Sequence, residues 1–343
     1  MKKNIPLVLL VVMLGLGGCG KACGKKLGTG PEVSSLKLIP NGQNILLGFD
    51  WKKMQASPLG DKFQEKFPPE AAPLMKDIQS VTLGMKLPGM GQEPKEMIGV
   101  ITGKFDEAKV IEVFTQAAQK EGQQLTNEDF NGVKIYSSSK DPTMGMAFLA
   151  DHAVVGDKEN VKKSIGLSKN SGESVEKDSA LMALIKGVDT GKMLWAVALI
   201  PPGLVPPPSG PEAEAGPAAV FSHIKAIDLA LDMAKDLSLD LGIQAATPED
   251  AQQMQTMANS YKTLFGSSLA QKNPDLGKAF NQINIAVEGP RMALSLKLDQ
   301  ATVEQLSKQA AAPATEPPPA MGAPGTEEQA PPPEPPAAPS KDS

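Results

Sequence analysis

Residues 224–242 read IKAIDLALDMAKDLSLDLG, and the large apolar residues from Ile227 to Leu241 lie at alternate positions with polar or small residues between them. The segment also fits a helix with its charged residues on one side, but strict alternation is the period of a half-buried strand. We therefore predict an antiparallel hairpin here. Thr247-Pro248-Glu249-Asp250 follows, with an N-cap residue, proline at the first helical position and acids in the first turn. This pattern predicts a helix that runs to about Leu269.

A similar order of elements precedes this region. Strand patterns at Ile78–Leu87 and Lys95–Thr102 are followed by a helical pattern at Asp106–Lys120. Each region then continues with a second hairpin and a second helix. The sequence therefore predicts an α+β fold of antiparallel sheets with helices on one face. It also predicts two related hairpin-helix-hairpin-helix halves, residues 36–200 and residues 219–309.

Two segments rich in proline interrupt or end this pattern. Residues 201–218 lie between the halves and are predicted to be a linker or long loop. Residues 310–343 consist mainly of Pro, Ala and Glu, which cannot bury a core, and are predicted to be a disordered tail with polyproline II character. The tail is either a solvated low-complexity segment or a spacer or docking ligand for an aromatic groove.

The N-terminus has the pattern of a secretory signal. Lys2 and Lys3 precede an apolar run, Ile5–Leu16, that is too short to span a bilayer as a permanent helix. Leu16-Gly17-Gly18-Cys19 follows and resembles the lipobox of bacterial lipoproteins. The resemblance implies that residues 1–18 are a signal peptide cleaved between Gly18 and Cys19. It also implies a diacylglycerol thioether on Cys19 and a fatty acyl chain, such as palmitate, on the new amino group.

The residues after Cys19 specify the location further. Residues 19–35 have little apolar content and are predicted to be a flexible tether. In enteric-type sorting an Asp after the lipidated cysteine retains a lipoprotein in the inner membrane, and this chain has Gly20. We therefore predict the outer membrane, facing the periplasm. With Cys19 lipidated, Cys23 has no partner within the chain, which leaves either a disulfide to a second chain or a spare thiol.

Composition excludes several classes of function. The formal net charge of −5 becomes −7 once Lys2 and Lys3 are removed, and Arg291 is the only arginine. Nucleic-acid binding and phosphate chemistry are therefore disfavoured. The chain contains no G-x-S-x-G, H-E-x-x-H, Walker or dinucleotide motif, and its two histidines are far apart in sequence. We predict that the protein is not an enzyme and has no cofactor.

Two weaker patterns suggest metal binding. Four aspartates of the hairpin predicted at residues 224–242 are an even number of positions apart, so their carboxylates point to one face of the sheet. They either hold calcium or form a solvated face; they are Asp228, Asp232, Asp236 and Asp240. Clustered methionines are compatible with Cu(I), although core packing explains them more simply.

Three segments resemble a group of uncharacterised, secreted bacterial proteins. They are the stretch Leu46–Leu59, Val154-Val-Gly-Asp157 and Asp178-Ser-Ala-Leu181. The resemblance implies a duplicated α+β fold and no activity. The prediction from the sequence is a membrane-anchored envelope lipoprotein that acts as a non-catalytic binding or scaffold protein, with an envelope protein as partner. The alternative is a periplasmic carrier of a lipid or another apolar ligand.

Overall fold

A computed structural model describes residues 31–57, 60, 71–87, 96–202, 220, 222–234 and 236–310. Its strands are β1 (Ile45–Asp50), β2 (Ile78–Lys86), β3 (Glu96–Gly103), β4 (Leu125–Phe130), β5 (Val133–Ser138), β6 (Met144–Leu149), β7 (His152–Asp157), β8 (Leu194–Leu199), β9 (Ile224–Asp232), β10 (Leu237–Ala245), β11 (Asn284–Glu288) and β12 (Arg291–Leu298). Its α-helices are α1 (Pro31–Ser34), α2 (Trp51–Ala56), α3 (Ala72–Met75), α4 (Glu107–Lys120), α5 (Lys158–Ser168), α6 (Ser179–Gly187), α7 (Pro248–Lys272), α8 (Pro274–Asn281) and α9 (Gln300–Ala310). The predicted α+β class is confirmed.

The strands form one antiparallel sheet in the order β11-β12-β10-β9-β8-β1-β2-β3-β7-β6-β5-β4. Strand β8 lies between β1 and β9, so the regions predicted as two halves share a continuous sheet. Outward from the central β1–β8 pair, one side runs β2-β3-β7-β6 and the other runs β9-β10-β12-β11. On each side, the hairpin that comes first in the sequence therefore lies nearer the centre of the sheet than the second hairpin. A relation of the halves by duplication stays a prediction.

The hairpin of β4 and β5 extends only one side of the sheet and is additional to the predicted hairpin-helix-hairpin-helix order. Its turn is Asn131-Gly132, with φ angles of 55° and 75°. Two consecutive residues with positive φ form the tight turn that suits the twist of a two-stranded hairpin, and Asn-Gly is its preferred sequence. The sequence therefore did contain a signal for this hairpin.

Helices cover both faces of the sheet, whereas the sequence predicted one. Leu46 of β1 packs in the cluster that contains residues of α5 and α6, while its neighbour Leu47 packs with Trp51 and Met75. Successive residues of a strand point to opposite faces, so the central strand is apolar on both and each face needs a cover. Cross-strand register links Leu47 to the face of β10 on which α7 packs.

The fold begins earlier than predicted. Residues 31–34 are helical, and Ser35 is fully buried, where its Oγ donates a hydrogen bond to Thr82 Oγ1 at 2.7 Å. The predicted tether therefore cannot extend to residue 35. Of the predicted linker, only Pro201 and Pro202 are described, and residues 311–343 of the predicted tail lie outside the described residues. Among the residues that the structure describes, no helix has the length and apolar character needed to span a bilayer.

Candidate functional site

Helix α7 is anchored firmly at its N-terminus. Thr247 Oγ1 accepts a hydrogen bond from the Asp250 N–H at 3.1 Å, and Asp250 Oδ2 accepts one from the Thr247 N–H at 3.0 Å. This reciprocal capping box confirms the predicted start of the helix. Asp250 Oδ1 also lies 2.6 Å from His223 Nδ1. The hydrogen bond from His223, followed by those from Thr247, lowers the pKa of Asp250.

The sheet-facing side of α7 is apolar at first and polar further along. Ala251 and Met254 are buried against Ala245 and Met292 of the sheet. Beyond them, Gln255 Nε2 donates to the Ile285 carbonyl at 3.2 Å, and Lys262 Nζ donates to the Ile283 carbonyl. Ile285 lies on β11, an edge strand of the sheet. Side chains of α7 therefore donate hydrogen bonds to backbone carbonyl groups at or next to this edge.

Helix α8 occupies a second side of α7. A Cβ atom built on Gly277 would lie 2.5 Å from Ala270 Cα, so the two helices approach closely because Gly277 has no side chain. A groove of about 430 Å³ lies along this contact. Its lining is largely polar and includes Asn259, Thr263 and Ser267.

A third side of α7 has an exposed apolar surface. Tyr261, Leu264 and Phe265 are 47%, 66% and 46% exposed. Their spacing of i, i+3 and i+4 places them on one helix face, and the rings of Tyr261 and Phe265 stack with centroids 6.0 Å apart. We call these three residues the α7 ridge. Three adjacent large apolar side chains in water are a candidate docking surface.

The sequence contains a signal for the α7 ridge in the scarcity of charged residues along α7. Residues 251–272 include no acidic residue, and their only charged residues are Lys262 and Lys272. A surface helix of this length normally carries charges on its solvent side. A helix with apolar residues at helical spacing and few charges therefore indicates a second contact surface. The pattern does not show which apolar residues the sheet covers.

The predicted lipidation site lies outside the described residues. This holds for Gly18 and Cys19, and also for Cys23. Cleavage before Cys19 and its acylation stay predictions.

Each aspartate of the β9–β10 hairpin has a basic side chain or a backbone N–H as a partner. Asp228, whose side chain is 5% exposed, forms a bidentate ion pair with Arg291, the only arginine. Lys192 Nζ lies 2.6 Å from Asp240 Oδ2, and Lys297 Nζ lies 3.7 Å from Asp236 Oδ2. Asp232 accepts the N–H of Ala234 at 3.0 Å. The interpretation of a fully solvated acidic face was wrong for Asp228, which is buried with its partner.

The Asp228–Arg291 pair depends on a glycine. A Cβ atom on Gly242 would lie 2.0 Å from Arg291 Nη2, so the guanidinium lies directly against strand β10. The neighbouring carboxylate raises the pKa of Arg291. This pair joins strands β9 and β12 across β10.

The two histidines have separate environments. His152 Nδ1 lies 3.2 Å from Thr102 Oγ1, and burial lowers the pKa of His152. His223 pairs with Asp250 at the start of α7, far from His152 in the sequence. Across the described ranges, no group of three or more His, Cys, Asp or Glu side chains is arranged to hold a metal ion.

Comparisons with known proteins give little further information. No protein-family model matches the chain, and no curated protein matches it. Three solved crystal forms of TP0453 are similar in structure. Form III has a TM-score of 0.49 and 12% identity over 80% of this chain and 97% of that chain. Form IV has a TM-score of 0.48 with 13% identity, and form I one of 0.46 with 11% identity. Similarity at this level carries no argument about function.

Proposed function

We propose that the protein is a membrane-anchored lipoprotein of the bacterial envelope that acts as a non-catalytic binding or scaffold protein. The pattern Leu16-Gly17-Gly18-Cys19 supports the anchor. One acyl chain binds a membrane marginally, whereas two or more bind it stably, so a fully acylated Cys19 is a lasting tether. Gly20 favours the outer membrane, with the folded region in the periplasm.

The α7 ridge is the observation that carries the binding role. Aromatic and large apolar side chains dominate the binding energy of protein interfaces when they cluster and become desolvated. Tyr261, Leu264 and Phe265 form such a cluster on a helix whose other sides pack against the sheet and α8. An envelope protein that covers this ridge is the partner we propose.

The alternative role, a carrier of a lipid or another apolar ligand, has less support. The groove beside α7 is lined by amide and hydroxyl side chains such as Asn259 and Thr263. An apolar ligand would gain little there, because ligand sites for such molecules are lined mainly by apolar residues.

Site-specific crosslinking tests the binding role. A photoreactive residue replaces Leu264 in the full chain, which is expressed in its own envelope and irradiated there. We expect an intermolecular protein crosslink from position 264. The matched control is position 114, because Phe114 is also exposed and is the one large apolar side chain exposed on α4 among the described residues. Equal crosslinking from both positions, or none from 264, would contradict the proposal.

Native mass spectrometry tests the anchor and separates the two roles. We expect protein extracted gently from its envelope to begin at an acylated Cys19 with no further lipid bound. A second bound lipid would favour the carrier.

Cys19→Ser should accumulate as an unprocessed precursor, and normal cleavage after Gly18 in this variant would refute the lipoprotein assignment.

A further inference from the structure

The last described helix contacts α8, the helix that packs against α7. Helix α9 ends at Ala310, and the side chain of Gln305 on α9 donates a hydrogen bond to Asp275 on α8. Helix α8 in turn packs along α7 through Gly277. Helix α9, from which the C-terminal segment continues, is therefore linked to α7 through α8.

The remaining 33 residues are long enough to reach the α7 ridge. At about 3.1 Å per residue in a polyproline II conformation, residues 311–343 extend to roughly 100 Å. Helix α7 has 25 residues and, at 1.5 Å per residue, is about 37 Å long. The segment is therefore long enough to contact any region of α7.

The chemistry of the segment suits the α7 ridge. Its prolines include the run Pro331-Pro-Pro-Glu-Pro-Pro336. Proline-rich segments bind surfaces lined by aromatic rings, because their preformed conformation loses little entropy on docking. The stacked rings of Tyr261 and Phe265 provide such a surface on the outside of α7.

Charge also matches between the two partners. Residues 311–343 contain five acidic residues and one lysine, which gives a formal charge of −4. Residues 251–272 of α7 contain two lysines and no acidic residue. A negative segment therefore meets no acidic residue along this part of the helix, although Glu249 and Asp250 lie in its first turn.

We propose that residues 311–343 dock in cis on the α7 ridge and cover Tyr261, Leu264 and Phe265. This inference rests on the proposed function, because it makes the chain's own C-terminal segment a competitor for the surface that an envelope partner uses. A segment of the same chain has an effective concentration of about millimolar when its tether is short and flexible, so weak docking is enough to occupy the ridge. In the envelope a partner displaces the segment, so position 264 of the full chain still crosslinks to that partner.

Peptide binding tests the proposal. A fluorescent peptide of residues 311–343 is titrated into the full chain and into a chain that stops at Ala310, both lacking the acyl chains. We expect the shortened chain to bind the peptide and the full chain to bind it at least tenfold more weakly, because its own segment occupies the ridge. Binding of equal strength to both chains, or no binding to either, would overturn the proposal.

Substitutions locate the binding surface. In the shortened chain, Phe265→Ala and Leu264→Ser should each weaken peptide binding about tenfold, while the control Phe114→Ala should not change it. Circular dichroism verifies that each variant folds. Unchanged binding by both ridge variants would overturn docking at this surface.

Vesicles distinguish a membrane from the C-terminal segment as the occupant. Vesicles of phosphatidylethanolamine and phosphatidylglycerol are added to the shortened chain with an environment-sensitive dye at position 264. We expect no blue shift. A blue shift together with absent peptide binding would assign the α7 ridge to a lipid surface and overturn the proposal. If the peptide fails to bind but position 264 still crosslinks to an envelope protein, only this inference fails and the proposed function stands.

Discussion

The two halves of α7 use similar residues for different purposes. In the first half, Ala251 and Met254 are buried against the sheet. In the second half, Tyr261, Leu264 and Phe265 are exposed, and the contacts with the sheet edge are made by the polar group of Lys262. The same helix thus contributes to the core at its start and presents an apolar surface at its end. Apolar residues at helical spacing predict a contact surface, but the position of the sheet determines which of these residues are buried within the protein.

The strongest test of this difference is Met254→Ala. Met254 is 5% exposed and packs in the cluster with Ala245 and Met292. Truncating a buried methionine leaves a cavity, so we expect the free energy of unfolding to fall by about 2–5 kcal/mol. Urea denaturation measures this change. A loss below about 0.5 kcal/mol would mean that the first half of α7 does not belong to the core.

A smaller effect is expected at the cap. Thr247→Ala removes the side-chain oxygen that accepts the Asp250 N–H. Loss of such a cap costs about 1 kcal/mol. Urea denaturation should show this loss, whereas Thr247→Ser should keep most of the stability because its hydroxyl can accept the same bond. Equal losses in the two variants would show that the hydroxyl does not cap the helix.

Acid should weaken the same cap. Hydrogen bonds lower the pKa of folded Asp250, so its contribution to stability is present above the unfolded pKa of about 4. That contribution is lost as pH falls from the unfolded pKa through the lower folded pKa. We expect Asp250→Asn to be less stable at pH 7 and to lose less further stability between pH 5 and pH 3 than the native chain. Thermal melts across this range measure both, and parallel pH profiles would contradict the assignment.

The smallest effect on stability is expected at the α7 ridge. Leu264 is 66% exposed, so Leu264→Ala should change the free energy of unfolding by no more than about 0.5 kcal/mol. The comparison with Met254→Ala is direct, because both changes remove a large apolar side chain from one helix. A large loss at Leu264 would show that another region of the protein buries it.

Much of the fold follows from local patterns. The alternation at residues 224–242 predicted β9 and β10, and Thr247-Pro248 predicted the start of α7; both predictions are confirmed. The position of β8 between β1 and β9 could not be predicted, because strand pairing depends on contacts that are distant in sequence. The helices on both faces were missed for the same reason.

The candidate site was less predictable than the fold. Residues 261–265 have an apolar helical pattern that fits burial and exposure equally well. Only the extent of the sheet beneath α7 shows that Tyr261, Leu264 and Phe265 keep a large exposed apolar surface. The ion pair of Asp228 could not be predicted either, because its partner Arg291 is 63 residues away in sequence.

The central claim is that the second half of α7 serves docking and not folding. The most direct test measures both properties on one protein, the chain that stops at Ala310 with Leu264→Ser. We predict an unfolding free energy within about 0.5 kcal/mol of the unsubstituted shortened chain, together with about tenfold weaker binding of the peptide of residues 311–343. A loss of stability of several kcal/mol with unchanged peptide binding would contradict the claim and place the α7 ridge in the core.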